Sequence, residues 1–178
     1  KDGQWKLFLK TPRPGTGHTL QVKGSNQIQI NDVAIGEVWL CVGQSNMGWS
    51  VANSFEAEKE SEVDLPQLRI FKSAREHWHE PLAENLDRLS RWKKCDPESA
   101  FETSAVAYYF GKKLHEELKI PVGIIQRAYA GTPIEGWMPW DIQKDDPRAQ
   151  AQRQLLIDFA ERRRRNQGES TEKALATF

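Results

Sequence analysis

Ser45 stands at the end of an apolar run, within Gly43-Gln44-Ser45-Asn46-Met47. A serine in that position can serve as a nucleophile in acyl transfer. The run before it, Glu37-Val38-Trp39-Leu40-Cys41-Val42-Gly43, is nearly continuous in apolar side chains. Such a run suits a central strand of a parallel sheet, covered on both faces. Gly43 allows a sharp turn at the carboxyl end of that strand. Ser45 is then carried past the sheet edge, where open α/β folds hold their ligands. The residues that follow can open a helix, whose free N–H groups would face a developing oxyanion. Taken alone, Gly-x-Ser also describes an ordinary strand-end turn. The α/β-hydrolase elbow, Gly-x-Ser-x-Gly, needs glycine two positions past the serine. Met47 holds that place and argues against that elbow.

A nucleophilic serine needs a base to take its proton, normally a histidine oriented by a carboxylate. The chain has four histidines: His18, His77, His79 and His115. His115 lies among charges on a helical stretch and is expected at the surface. His77 and His79 sit in Arg75-Glu76-His77-Trp78-His79-Glu80. His-x-His would put both imidazoles on one face of a strand, as metals sometimes require. No third ligand cluster follows, so a loop is the preferred reading and no metal is assigned. Cys41 and Cys95 make no disulfide framework. Cys41, inside its apolar run, reads as a buried and inert thiol.

The elements that must position Ser45 are legible from periodicity. Residues 1–34 read as β structure. Residues 5–9 alternate in part, and Thr11-Pro12-Arg13-Pro14-Gly15 breaks the pattern. Residues 18–23 and 27–30 alternate around Gly24-Ser25-Asn26, which predicts a hairpin with one wet face. Three short strands bury little by themselves. They are expected to be the end of a β-sandwich domain whose beginning is missing. Residues 68–71 and 121–126 are two further strands. The stretch 104–118 places Val106, Tyr109, Phe110, Leu114 and Leu118 on a helical spacing, with Thr103 or Ser104 as cap. The stretch 147–165 carries a narrow stripe of Leu155, Leu156 and Phe159. Strands alternating with helices predict an α/β sheet with crossover helices.

Composition sets the outer limits. With 178 residues, 38% hydrophobic and seven of them Trp, the chain can build a real core. Its charges balance at net zero, so nothing points to nucleic acid or an anionic membrane. No run of about 18 apolar residues predicts a membrane-spanning helix.

The run 36–47 closely resembles the first block of the sialate O-acetylesterase family, a branch of the SGNH hydrolases. A second stretch agrees in order. It comprises Ser104-Ala105-Val106-Ala107-Tyr108-Tyr109-Phe110-Gly111, then Pro121-Val122-Gly123-Ile124-Ile125, then Gly131-Thr132-Pro133-Ile134-Glu135-Gly136-Trp137. The resemblance covers roughly residues 1–140. It implies an SGNH-like parallel sheet with flanking helices, incomplete here, over residues 35–178, preceded by the sandwich strands of 1–34.

The resemblance also implies roles. Ser45 would attack an acetyl ester, with its own N–H and that of Gly131 holding the oxyanion. Relatives commonly have Gly-Gly before Thr-Pro, and Ala130 replaces the first of these here. Gln44 and Asn46 would bind substrate or brace the turn, with bracing the safer reading. Trp137 and Trp140 would line a sugar wall or pack the core edge. The family takes its base from Asp-x-x-His, and no histidine in this chain follows an aspartate by three. Gln167-Gly168-Glu169-Ser170 imitates the family's third block but follows a polar arginine run, and reads as a chance match. The catalytic His and Asp are expected beyond Phe178, and the isolated chain is expected to be nearly inactive. The implied function is removal of O-acetyl groups from sialic acid or a related sugar, with no cofactor. An acetyl-xylan or other polysaccharide deacetylase is the alternative within the class. A non-catalytic carbohydrate-binding module of the same fold is the alternative outside it. A sugar substrate suggests a secreted or periplasmic protein, with no nucleic acid partner and no membrane insertion.

Overall fold

The alternation in residues 18–30 becomes a hairpin. In the computed structural model, which describes residues 6–73 and 90–167, β1 (Gly15–Lys23) and β2 (Gln27–Ile35) pair antiparallel. The Gly24 N–H donates to the Asn26 carbonyl at 2.8 Å and closes the turn. Both faces of the hairpin meet solvent, against the one wet face predicted, because no layer covers Leu20, Ile28 or Ile30. Among the described residues no third strand joins it. Residues 6–9 form no strand, and Trp5 lies outside the described residues. Partial alternation supplies a face but no hydrogen-bonding neighbour, and a strand needs both.

After Gly36 the chain builds a mixed sheet. β3 (Glu37–Gly43), β4 (Leu65–Lys72), β5 (Trp92–Cys95) and β6 (Val122–Ala128) lie in the order β3-β6-β4-β5. β3, β6 and β4 are parallel, and β5 closes the other edge antiparallel to β4. This is the α/β architecture expected. The first strand departs from expectation in its place. Among the described residues β3 pairs only with β6, so it is an edge strand. Its side chains Val38, Leu40 and Val42 are exposed. A continuous apolar run records what a strand is suited to bury, and the described residues supply no second neighbour to bury it against. The start of β3 is fixed by glycine. A Cβ at Gly36 would fall 1.9 Å from the Pro121 carbonyl oxygen, which also accepts the Glu37 N–H at 3.1 Å.

Two helices pack on this sheet. α2 (Pro97–Glu102) opens with a reciprocal cap between Asp96 and Ser99 and with proline at its start. α3 (Ala105–Leu118) is capped by Ser104, whose hydroxyl accepts the Ala107 N–H at 3.2 Å. The face α3 buries is not the predicted one. Ala105, Ala107, Tyr108 and Gly111 are buried, whereas Val106, Tyr109, Phe110 and Leu118 are exposed. Leu114 packs partly against the core. Close approach explains the shift. A Cβ at Gly111 would meet the Ile124 side chain at 2.9 Å and Leu68 at 3.1 Å. The smallest residues therefore face the sheet, and the bulky ones flank it. The core they form also holds Val51, Leu68, Ile70, Cys95, Ala100, Val122 and Ile124.

One ionic cluster lies at the edge of this core. Glu60, in the 3-10 turn Ala57–Glu60, is buried. Its carboxylate accepts the Tyr108 hydroxyl at 2.5 Å and the Lys112 ammonium at 2.6 Å. Burial would raise the Glu60 pKa, but the bonds from Lys112 and Tyr108 outweigh it and hold it below the usual carboxylate value. Burial pushes the Cys95 thiol up to about 12. Burial also raises Cys41, which is half-buried where a buried thiol was expected because β3 lies at the edge of the described sheet, and both thiols are free. Past β6 come the 3-10 turn Ile134–Trp137, α4 (Trp140–Gln143) and α5 (Pro147–Gln167). The predicted stripe of Leu155, Leu156 and Phe159 on α5 is exposed. No helix among the described residues is long and apolar enough to cross a membrane.

Candidate active site

Two strand ends meet at one edge of the sheet. β3 and β6 run parallel in register, with Gly43 beside Ala128. The Tyr129 N–H donates to the Gly43 carbonyl at 2.9 Å, which carries the pairing one residue past β6. Beyond that point β3 turns at Gln44 into α1 (Ser45–Gly48), and β6 turns through Ala130 and Gly131. Side chains then join the two turns. The Gln44 amide Nε2 donates to the Thr132 carbonyl. The Thr132 hydroxyl donates to the Tyr129 carbonyl at 2.8 Å and accepts the Trp137 indole N–H at 2.8 Å.

Ser45 is the first residue of α1 and is exposed. Among the described residues its hydroxyl has no hydrogen-bond partner. The turn under it is anchored from below. Gly48 N–H donates to the Gln44 carbonyl at 3.0 Å. Met47 packs partly against the core, and the Ser104 hydroxyl reaches its sulfur at 3.3 Å. The Ser104 N–H is held in turn by the buried Gln126 side chain at 2.9 Å. The closeness that an elbow demands is met at Gly43, where a Cβ would lie 3.0 Å from the Met47 Cβ. Methionine two places past the serine is therefore an anchor here.

Gly131 is exposed, with φ +77°. That left-handed backbone favours glycine, and nothing lies within 4 Å of a Cβ added there. Asn46 is exposed beside Ser45. Trp137 is half-buried with its indole N–H committed to Thr132, and Trp140 lies under the Arg153 guanidinium at 4.4 Å. Pro133 takes the cap position of the Ile134–Trp137 turn, with Glu135 in its first turn.

Neither described histidine belongs to the two turns. His18 pairs with Val33, before β3 begins. His115 is half-buried, where a surface position was expected, because its Nδ1 lies 2.7 Å from the Ile120 carbonyl. It sits near the C-terminus of α3, about 16 Å along the axis from Ser104. His77 and His79 lie outside the described residues, as do residues 168–170 of the false third block. α5 runs through the arginine run to Gln167, so a helix and no strand precedes Gly168. Among the described residues no three His, Cys, Asp or Glu side chains gather as a metal ion would need.

Thr132 was not singled out by sequence reasoning. Its signal lay in the Gly-Thr-Pro run, but its bond to Gln44 spans 88 residues. An exposed, undonated hydroxyl at a strand tip, beside a second turn with a left-handed glycine, is a geometry suited to acyl transfer.

The chain is similar to known proteins over most of its length. The model of the carbohydrate esterase family of sialic acid-specific acetylesterases matches residues 35–165. The sialate O-acetylesterase of Rattus norvegicus is 32% identical over 146 residues, covering 75% of this chain and 27% of that protein. The sialate O-acetylesterase of Homo sapiens is 29% identical over 145 residues, covering 75% and 28%. The crystal structure of a novel carbohydrate acetylesterase from Xanthomonas citri matches with a TM-score of 0.74 at 34% identity, covering 81% of this chain and 33% of that one. The chain thus spans about a quarter to a third of the length of these relatives.

Proposed function

The chain belongs to the sialic acid-specific acetylesterases among the carbohydrate esterases, and from that membership we propose that Ser45 is the nucleophile of a serine esterase acting on O-acetylated sugars. The Ser45 oxygen attacks the acetyl carbonyl carbon while its proton passes to a base. The carbonyl oxygen, now negative, is held by the N–H groups of Ser45 and Gly131. Each such donor contributes about two to three powers of ten in rate. The sugar oxygen leaves with a proton, and an acetyl-serine remains. Water then attacks that ester, acetate departs, and Ser45 recovers its proton. No residue of this chain is assigned as the base, since none of its histidines stands in Asp-x-x-His. Sialic acid or a related acetylated sugar is the proposed substrate.

One observation carries this reading: Ser45 is exposed at the tip of β3, and Gln44 ties its turn to the turn of Gly131. Gln44 is accordingly a brace, and Asn46 is left to meet the sugar. We place the esterase domain from residue 35 onward, with residues 1–34 closing a preceding sandwich. Support comes from the hairpin, which among the described residues shares no strand pairing with the main sheet.

Replacing Ser45 by alanine in the catalytically complete protein tests the assignment. Acetate release from an O-acetylated sialic acid should fall roughly ten-thousand-fold or more, while circular dichroism and melting stay unchanged. Turnover that survives the substitution would remove Ser45 from the mechanism.

A further inference from the structure

Trp49 is the most exposed tryptophan among the described residues, at 58%, and it follows Ser45 by four positions. Residues four apart on one helical turn project from the same side, with Cβ atoms about 5–6 Å apart. α1 supplies that turn, and Trp49 is its C-terminal cap with φ −65°. The Trp49 side chain therefore leaves the backbone on the same side of the turn as Ser45, and its indole extends from there towards Asn53.

Several bonds hold it there. The indole N–H donates to the Asn53 carbonyl at 2.8 Å, which fixes the ring's orientation and occupies its polar edge. The Trp49 carbonyl accepts the Ala105 N–H at 2.8 Å. Two residues on, the Val51 N–H donates to the Thr103 carbonyl at 2.9 Å, and Val51 is fully buried. The backbone under the ring is thus stitched to the start of α3. Among the described residues no ring or cation stacks on the indole. The other described tryptophans are engaged. Trp39 packs on Phe110 at 5.1 Å, Trp92 on Phe71 at 5.5 Å, and Trp140 under Arg153 at 4.4 Å. Trp137 spends its N–H on Thr132. A large aromatic face left bare, yet fixed at its polar edge, is shaped to receive an apolar surface.

We propose that Trp49 is the platform on which the sugar ring stacks while its acetyl group reaches Ser45. The inference rests on the serine-esterase reading above and names the side chain that selects for a sugar. A pyranose offers one face of C–H bonds, weakly positive, to the negative face of an indole. Its hydroxyl edge stays free to carry the ester. A small alkyl ester such as ethyl acetate has no ring face to stack and needs no such platform.

Steady-state kinetics on two esters separate the possibilities. With Trp49→Ala in the catalytically complete protein, the ratio of kcat/KM for an O-acetylated sugar over that for ethyl acetate should fall about tenfold. The loss should reside in KM for the sugar, and Trp49→Phe should restore most of it. In a Ser45→Ala background, the intact acetylated sugar should quench indole fluorescence, and added Trp49→Ala should abolish that quench. Equal losses on both esters would make Trp49 a support for the turn and overturn the platform. No change on either ester would overturn it as well. Failure of the esterase reading has a different signature: Ser45→Ala would leave turnover of both esters intact.

Discussion

The hydroxyl of Ser45 gains its position from neighbours that carry no reactive group. Gln44 secures the turn to Thr132, Met47 sinks into the core, and Gly43 admits Met47 at close range. The turns that hold Ser45 and Gly131 were legible in the sequence because each sits in a compact local run of distinctive residues. The brace between their turns was not, since its partners are 88 residues apart and only the parallel pairing of β3 with β6 joins them. Trp137 was read as a sugar wall or a core edge, and its bond to Thr132 makes it a support for the Gly131 turn. Gly131 affords a clean test at this scale. No atom lies within 4 Å of an added Cβ, so Gly131→Ala introduces backbone strain without a clash. The expected loss in chemical denaturation is about 1 kcal/mol, the cost of holding an L-residue in the left-handed region. Because the Gly131 N–H is the proposed oxyanion donor, kcat should fall more than KM rises.

Helix α3 shows how an element can be predicted correctly and oriented wrongly. Its limits and its Ser104 cap follow from periodicity and capping chemistry. Its buried face follows from the distance between helix and sheet, which a list of apolar residues does not contain. Gly111 and Ala107 let α3 approach β6 closely, and Val106 and Phe110 are left outside. The Glu60 cluster secures the same helix from the side. Lys112 reads in the sequence only as part of the polar face of the helix, because its partner Glu60 lies 52 residues away. Glu60→Gln should lower stability at pH 7 by about 2–3 kcal/mol, since Lys112 loses its carboxylate partner. The pH dependence has a definite sign. The folded pKa of Glu60 lies below its ordinary value of 4.5. The stabilisation is therefore complete above that value and is lost as pH falls through it towards the folded pKa. Melting temperatures recorded from pH 7 to pH 3 should drop more steeply for the parent protein than for Glu60→Gln.

At the scale of the molecule, apolar surface remains uncovered. Val38, Leu40 and Val42 on β3, Val106 and Phe110 on α3, and Leu155, Leu156 and Phe159 on α5 are all exposed. So much open apolar surface is unusual for a stable monomer and favours association. The 178-residue chain produced alone should bind a hydrophobic dye, self-associate as concentration rises, and hydrolyse acetyl esters only weakly. Fluorescence, light scattering and acetate release measure these three outcomes. A monomeric, dye-silent and fully active chain would contradict them. The sequence by itself determined the hairpin, the strands β3, β4 and β6, the helices α3 and α5, the cap of α3 and the two turns that carry Ser45 and Gly131, while β5, α2 and α4 went unread. These are properties of short stretches, governed by side-chain spacing and backbone preference. Tertiary structure alone decided that β3 takes an edge among the described strands, that α3 buries its small residues, and that Gln44, Thr132 and Trp137 knit the two turns together. Those outcomes depend on the distance between segments remote in sequence, which close packing sets and no local pattern encodes.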